Sequence, residues 1–369
     1  MGDLDHRDLR PSRTGLHVLT LWPGGSHEPC CDSRAPWPVP LAQGDEQAER
    51  LAWYAAVARW APSKHNSQPW RFVVRGSSLE LWTDPERVLP QSDPDRRKMV
   101  LSWGVALHLV TVAAHALGIE VVATVLPDGD GDLLARGVEV GRHVPTSDDL
   151  ALLELVPHRR TDRGPLDGEA LDTGVSFLLQ SEAAGQGATL RLVMTPGDRA
   201  TLARLVEHAD RLLVRRGEVD HELAGWLREP DDPRHDGVPT THTRGAAASY
   251  RAEFVQRDFS GPGARPALDR AGVDRPLLGV LCTAGDGERD WITAGMALSA
   301  VLLRAAAHGA NSSYLNQPLE EPMIRPQVRD QLRLAGPAQV VLRLGVGGAR
   351  VSDAPPLARR GHVPGVIAS

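Results

Sequence analysis

The chain has 369 residues, more than one typical hydrophobic core organises, so two packed units or one large one are expected. Its formal net charge of −6 offers no basic footprint for nucleic acid or for an anionic membrane surface. Three cysteines, with Cys30 and Cys31 adjacent and Cys282 distant, match neither a disulfide framework nor a zinc spacing, and a cytoplasmic location is expected.

Residues 1–45 gather Pro23, Pro29, Pro36, Pro38 and Pro40 with Gly24-Gly25 and show no sustained periodicity, which predicts a disordered extension. Asp3, Asp5 and Asp8 without a long apolar run predict no secretory signal. Glu49–Ala61 carries apolar residues at helical spacing up to Pro62, and Trp70–Arg75 reads as a strand ended by Gly76. Between them, Ser63, Lys64, Asn66 and Gln68 sit on a short connection fixed at both ends. A hydroxyl and two carboxamides each donate and accept, which suits a ligand edge of alternating donors and acceptors such as the pyrimidine side of a flavin. The same residues equally suit a turn that bonds its own backbone. Leu79–Thr83 is the expected hairpin partner.

Met99–Ile119 contains no formally charged residue and is long enough to span a bilayer. Ser102, Gly104, His108, Thr111 and His115 interrupt it, and a helix buried on all sides has the same pattern, so burial is expected. Strands are predicted at Val121–Leu126 and near Gly137–Val140, with a turn at Asp128–Asp132, followed by a short helix at Asp148–Leu155. The apolar helix then has an echo. Gly104-Val105-Ala106-Leu107 matches Gly295-Met296-Ala297-Leu298 at an offset of 191 residues, and Val110, Ala114, Ala116, Gly118 and Pro127 fall on Val301, Ala305, Ala307, Gly309 and Pro318. This predicts an internal duplication whose two helices pack together, with Gly104 and Gly295 permitting close approach.

The run His158-Arg159-Arg160-Thr161-Asp162-Arg163 places three guanidinium groups and a hydroxyl in a compact stretch. Guanidinium groups form bidentate bonds to phosphate, although such a run also suits a solvated basic turn. Thr195–Trp226 is helical in pattern, opened by Pro196 and Asp198 in favourable first-turn positions. Over residues 228–265 the pattern gives way to Pro, Asp, Gly, His and Thr, and Asp236–Gly245 is a candidate lid or a surface loop. His235 and His242 lack a carboxylate or cysteine at metal spacing, so no metal is assigned. Pro276–Thr283 reads as a strand, Asp290–His308 as the second core helix, Arg325–Leu334 as amphipathic, and Gln339–Leu344 as the last core strand. Gly345-Val346-Gly347-Gly348 is no dinucleotide fingerprint, because Ser352-Asp353-Ala354-Pro355-Pro356 forbids the helix that must follow.

The stretch Pro62-Ser63-x-x-Asn66-x-Gln68-Pro69-Trp70-x-Phe72 resembles a flavin-contact motif of the FMN-dependent nitroreductase family. Over roughly residues 46–365 the chain resembles the mycobacterial Acg-type branch, a tandem form of that family. The resemblance implies an α+β, nitroreductase-like fold in two tandem copies, residues 46–156 and 157–369, packed as an intramolecular pseudo-dimer around buried central helices. It implies FMN at the seam, contacted by Ser63, Lys64, Asn66 and Gln68 from the first half. Arg159, Arg160, Thr161 (in place of the family's serine) and Arg163 would grip the phosphate. Glu320 and Glu321 lie where a family loop approaches flavin N5, with Glu321 replacing the usual glycine. Arg359-Arg360 resembles the family's terminal basic pair, or forms a solvated tail. Neither motif is duplicated, so one flavin site per chain is expected. The implied activity is hydride transfer from NAD(P)H to flavin N5 and on to a nitroaromatic or quinone-like acceptor, with no catalytic side chain named. Lys64 would stabilise charge near flavin N1, or is a surface lysine. A flavin-sequestering protein of the same fold with little turnover is the alternative, and a flavin enzyme oxidising a ring in biosynthesis is a third. A homodimer beyond the internal pairing is left open.

Overall fold

The computed structural model describes residues 46–347 apart from 130, 163, 217, 230, 231, 233, 235, 241–253 and 255–273. The expected N-terminal extension, Arg163, Arg359, Arg360, His235 and His242 lie outside the described residues.

Alternating and continuous apolar runs build two four-stranded antiparallel sheets, so the chain is a mixed α+β fold. In the first, β1 (Trp70–Arg75) and β2 (Ser78–Thr83) form a hairpin that turns at Gly76, whose φ of 56° suits glycine. With β3 (Ile119–Val125) and β4 (Leu133–Arg142) the order is β1-β2-β4-β3. Helix α1 (Gln47–Ala58) buries Leu51, Tyr54, Ala55, Val57 and Ala58, and ends short of Pro62 because a residue before proline avoids helical backbone. Helix α2 (Arg97–Ala116) begins two residues before the predicted Met99. The Asp93 carboxylate extends it by accepting the N–H groups of Lys98 (3.0 Å) and Met99 (2.8 Å). Gly118, at φ 76°, supplies the left-handed residue beyond its end. Helix α3 (Ser147–Leu155) is capped by Thr146, whose Oγ1 accepts the Asp149 N–H at 3.1 Å while the Asp149 carboxylate accepts the Thr146 N–H at 2.8 Å.

Two elements follow that sequence reading did not anticipate, α4 (Thr173–Gly185) and β5 (Thr189–Leu192). The predicted Thr195–Trp226 helix is two, α5 (Pro196–Arg216) and α6 (Glu218–Trp226), and α6 leads to a two-residue parallel pairing of β6 (Leu227–Arg228) with β7 (Val238–Pro239). Next come β8 (Leu277–Cys282), α7 (Glu288–Ala307), β9 (Asn311–Tyr314), α8 (Gln317–Glu320), α9 (Arg325–Gln331) and β10 (Ala338–Gly345). The second sheet runs β5-β8-β10-β9, and all eight residues of β10 are buried, as a central strand covered on both faces requires. Within β10, Arg343 is sealed from solvent and pairs with the equally buried Asp274.

Helices α2 and α7 meet backbone to backbone. A Cβ on Gly104 would collide with the Ile292 carbonyl oxygen and lie 2.8 Å from Gly295 Cα, and a Cβ on Gly295 would collide with the Leu101 carbonyl oxygen and lie 2.8 Å from Gly104 Cα. Further along, His108 Nδ1 lies 2.9 Å from Ser299 Oγ, both groups buried. Burial pushes the His108 pKa down to about 4, so the ring is neutral at physiological pH. Both helices are long and apolar enough to cross a membrane, yet 89% and 67% of their apolar windows are buried inside the protein. One hydrophobic cluster runs continuously from α1 through α2 and α7 to β10, and a second fills the space between α5, β8, β10, α8 and α9.

Candidate functional site

The connection between α1 and β1 is a strained structure. His65 (φ 52°), Asn66 (φ 51°) and Gln68 (φ 53°) all occupy the left-handed region, where each L side chain costs roughly 1–2 kcal/mol. Asn and His tolerate this better than Gln does. The strain is held by neighbours: Trp103 Nε1 donates to the Pro69 carbonyl at 2.9 Å, and Arg87 Nη1 donates to the Ser67 carbonyl at 2.8 Å. Ser63 Oγ accepts the Gln68 N–H at 3.0 Å, so this hydroxyl does brace its own turn, as the simpler sequence reading expected. Such clustered left-handed residues are characteristic of ligand-clamping loops.

Lys64 reaches from this connection to the other end of the chain. Its Nζ donates to the Ser92 carbonyl at 2.8 Å and pairs with Glu320 at 3.3 Å. Lys98, in the first turn of α2, does the same, donating to Ser92 O at 2.7 Å and pairing with Glu320 at 3.0 Å. The structure thus brings the predicted residues Lys64 and Glu320 together and adds Lys98, which sequence reading missed. The available signal was the basic run Arg96-Arg97-Lys98 opening an apolar helix. Arg97 is almost fully buried and donates to the Gln339 carbonyl at 2.8 Å and the Leu319 carbonyl at 3.3 Å. Burial lowers its pKa to about 10, which leaves it cationic at neutral pH. Glu321, next in chain and 1% exposed, has φ −102° and ψ 111°, an ordinary extended conformation. Glutamate in place of the expected glycine therefore imposes no backbone strain here.

The predicted arginine run is stitched to β9. Thr161 forms a parallel bridge with Ser312, the Asp162 N–H donates to Ser312 O at 2.7 Å, and Asn311 Nδ2 donates to the Asp162 carboxylate at 3.1 Å. Thr161 itself is exposed. Arg159 keeps part of its surface toward solvent, but its Nη1 is sealed from water and has no hydrogen-bond partner among the described residues. Burial lowers the Arg159 pKa and raises that of the neighbouring Tyr314. An enclosed guanidinium N–H without an acceptor is costly, and an anion such as a phosphate would satisfy it. From Tyr314 the chain passes directly into α8 and Glu320, so β9 and α8 link the arginine run to the two lysines.

The described part of residues 228–265 lies over the strained connection. The Gly237 N–H donates to the Asn66 carbonyl at 3.1 Å, and Asp236 pairs with Arg87 (3.0 Å) and Arg228 (2.9 Å). From α6, the Glu222 carboxylate accepts the N–H groups of Gln91 (3.1 Å) and Ser92 (2.9 Å). Cys282 lies on β8, and burial raises its thiol pKa to about 11, which makes it a packing residue rather than a redox group.

No family model matches the chain. It is 32% identical over 319 residues to the Mycobacterium tuberculosis (strain H37Rv) protein "Putative NAD(P)H nitroreductase Rv3131", which covers 85% of this chain and 90% of the relative. It is 28% identical over 304 residues to "Uncharacterized protein Rv3127" of the same strain, covering 81% of this chain and 85% of that protein. It is 27% identical over 255 residues to "Putative NAD(P)H nitroreductase acg", again of that strain, covering 68% and 74% respectively.

Proposed function

Because the chain belongs to the nitroreductase family, in its Acg-type branch, we propose that it is an FMN-binding oxidoreductase of nitroreductase type. The observation that carries this reading is the sealed Nη1 of Arg159, which has no hydrogen-bond partner among the described residues, on a segment joined to β9 and α8, where an anionic group such as the FMN phosphate would complete it. Bound FMN would supply the redox chemistry, taking hydride from NAD(P)H and passing electrons to a nitroaromatic or quinone-like acceptor. The protein's part is binding, orientation and electrostatics. Arg159, Arg160, Thr161 and Arg163 hold the phosphate, with Arg359 and Arg360 assigned to the same end. Ser63, Asn66 and Gln68 present donors and acceptors to the ring edge. Lys64 and Lys98 both pair with Glu320 beside the Asp93 carboxylate, and so place two cationic donors at the end of the site where an electron-rich ring would lie.

The same reading takes residues 46–156 and 157–369 as two copies of one half, with the flavin on the seam between them. Its support is the reciprocity of the α2–α7 contact. Gly104 with Gly295, and His108 with Ser299, each pair a residue with its counterpart 191 positions on. The Gly104 contact to Ile292 is likewise mirrored by that of Gly295 to Leu101. Self-complementary contact of this kind characterises a two-fold interface.

A second reading, flavin sequestration with little turnover, draws on the bonds from Asp236 and Gly237 that pin their segment over Asn66. The full chain, purified and supplied with FMN, is expected to bind about one flavin and to oxidise NADPH or NADH when offered a nitroaromatic or quinone. A yellow protein inert to both nucleotides selects sequestration, and a chain that takes up no FMN refutes both readings. Arg159→Ala is expected to weaken FMN retention while leaving the thermal stability of the flavin-free protein unchanged or raised, since it removes a sealed N–H group that has no acceptor among the described residues. Unchanged FMN affinity in that variant overturns the phosphate assignment.

A further inference from the structure

We propose that His115, Glu120 and His143 form a binding site for a divalent transition-metal ion of the Zn2+ class, remote from the candidate flavin seam and independent of it. His115 is in the last turn of α2, Glu120 is the second residue of β3, and His143 follows the last residue of β4. One ligand atom from each lies within 4.8 Å of the other two. His115 Nε2 is 3.4 Å and His143 Nδ1 is 3.9 Å from Glu120 Oε2. With metal–ligand bonds of about 2.1 Å, atoms on a tetrahedral Zn2+ lie about 3.4 Å apart, close to these spacings. Two imidazoles and a carboxylate are borderline donors, which favour Zn2+ and its neighbours over Ca2+ or Mg2+.

The surroundings of the cluster point the same way. His143 Nε2 lies 2.9 Å from the Asp149 carboxylate, which also takes the N–H and hydroxyl of Thr146 and so is fixed in place. This contact holds the ring with its Nδ1 edge toward Glu120. This carboxylate–histidine arrangement is the one that orients metal-binding imidazoles. His115 Nε2 is sealed from water and makes no hydrogen bond among the described residues. The two rings are stacked, with centroids 4.0 Å apart and planes 10° from parallel. Binding one ion therefore requires a ring to turn about its Cβ–Cγ bond. His115 is the one to turn, because His143 is held by Asp149. Three protein ligands leave a fourth position for water, so the ion would tie together the ends of α2, β3 and β4. Lys98 and His115 are 17 residues apart on one helix, about 25 Å, which separates the ion from the seam.

The test is calorimetric titration of the full chain with ZnCl2, in a Cys30→Ser, Cys31→Ser background that removes the adjacent thiols. One saturable equivalent is expected. Affinity should fall at least tenfold in His115→Ala, His143→Ala and the near-isosteric Glu120→Gln, and by about 10- to 100-fold in Asp149→Asn. Circular dichroism checks that each variant is folded, and Glu120→Gln keeps the test decisive if a histidine variant is not. Added Co2+ should give visible d–d bands that are lost in the same variants. No saturable binding in the parent, or equal stoichiometry and affinity in His143→Ala and Glu120→Gln, overturns the proposal. FMN content is expected to be the same in all of these variants, so the outcome is separable from the flavin reading.

Discussion

Gly104→Ala probes the crossing of α2 and α7 directly. The added methyl carbon would overlap the Ile292 carbonyl oxygen and lie 2.8 Å from Gly295 Cα, and both are backbone atoms that no rotamer change can clear. The helices must separate, and overpacking of this kind costs about 1–3 kcal/mol, here at the upper end because no side chain can yield. Replacing glycine by alanine inside a helix returns about 1 kcal/mol. The net expectation is a loss of about 2 kcal/mol, or about 3 °C in Tm for a chain of 369 residues. Gly185→Ala is the matched control. Its Cβ would meet nothing within 4 Å, at the last residue of α4, so stability should stay level or rise. The double variant Gly104→Ala, Gly295→Ala should cost less than the sum of its parts, since the first methyl already widens the gap the second would fill. Thermal and urea unfolding of the four proteins measures all of this. A Gly104→Ala protein as stable as the parent would show that the helices do not touch through their backbones.

His108 makes stability depend on pH. Its pKa is depressed from about 6.5 unfolded to about 4 folded, so the unfolded chain binds the proton first. Its contribution, about 3 kcal/mol by linkage, is present in full above pH 6.5 and is lost as pH falls toward 4. Urea midpoints at pH 7.5 and 4.5 should draw closer together in His108→Gln than in the parent, and an identical drop in both would refute the assignment. Asp274→Ala breaks the fully enclosed pair with Arg343 and should cost about 3–5 kcal/mol, whereas Asp274→Leu with Arg343→Met should restore much of it. Denaturant titration decides between them, and a mild single-variant effect would mean that water reaches the guanidinium. Glu321→Gly should leave FMN content unchanged, because φ −102° does not need glycine, and a large change in flavin absorbance would count against that view.

The elements best read from sequence were those with local signals. β1 coincides with Trp70–Arg75, and α3 and β8 agree with their predicted spans to within a residue at each end, since periodicity and bounding Gly or Pro act over a few residues. α4 was missed because its apolar positions, Val175, Leu179 and Ala183, are interleaved with exposed Phe177 and Leu178, which blurs the face. The motif Ser63–Gln68 was visible, but its three left-handed residues were not, because tertiary bonds from Trp103 and Arg87 impose them. The Lys64–Glu320 pair spans 256 residues, beyond any local pattern. The cluster at His115, Glu120 and His143 escaped for the same reason: β3 and β4 must pair in register before His143 reaches the end of α2.

The missing side chains at Gly104 and Gly295 have a reach beyond their own contact. α2 carries Arg97 and Lys98 at its beginning, and α7 runs on through β9 to Glu320, so the two rods lead to the two partners of one ion pair. How closely the two rods approach is set by the hydrogen atoms that Gly104 and Gly295 carry in place of side chains. A methyl group at either glycine would lengthen the Lys98–Glu320 span, making that ion pair a built-in gauge of any loosening far along the helices.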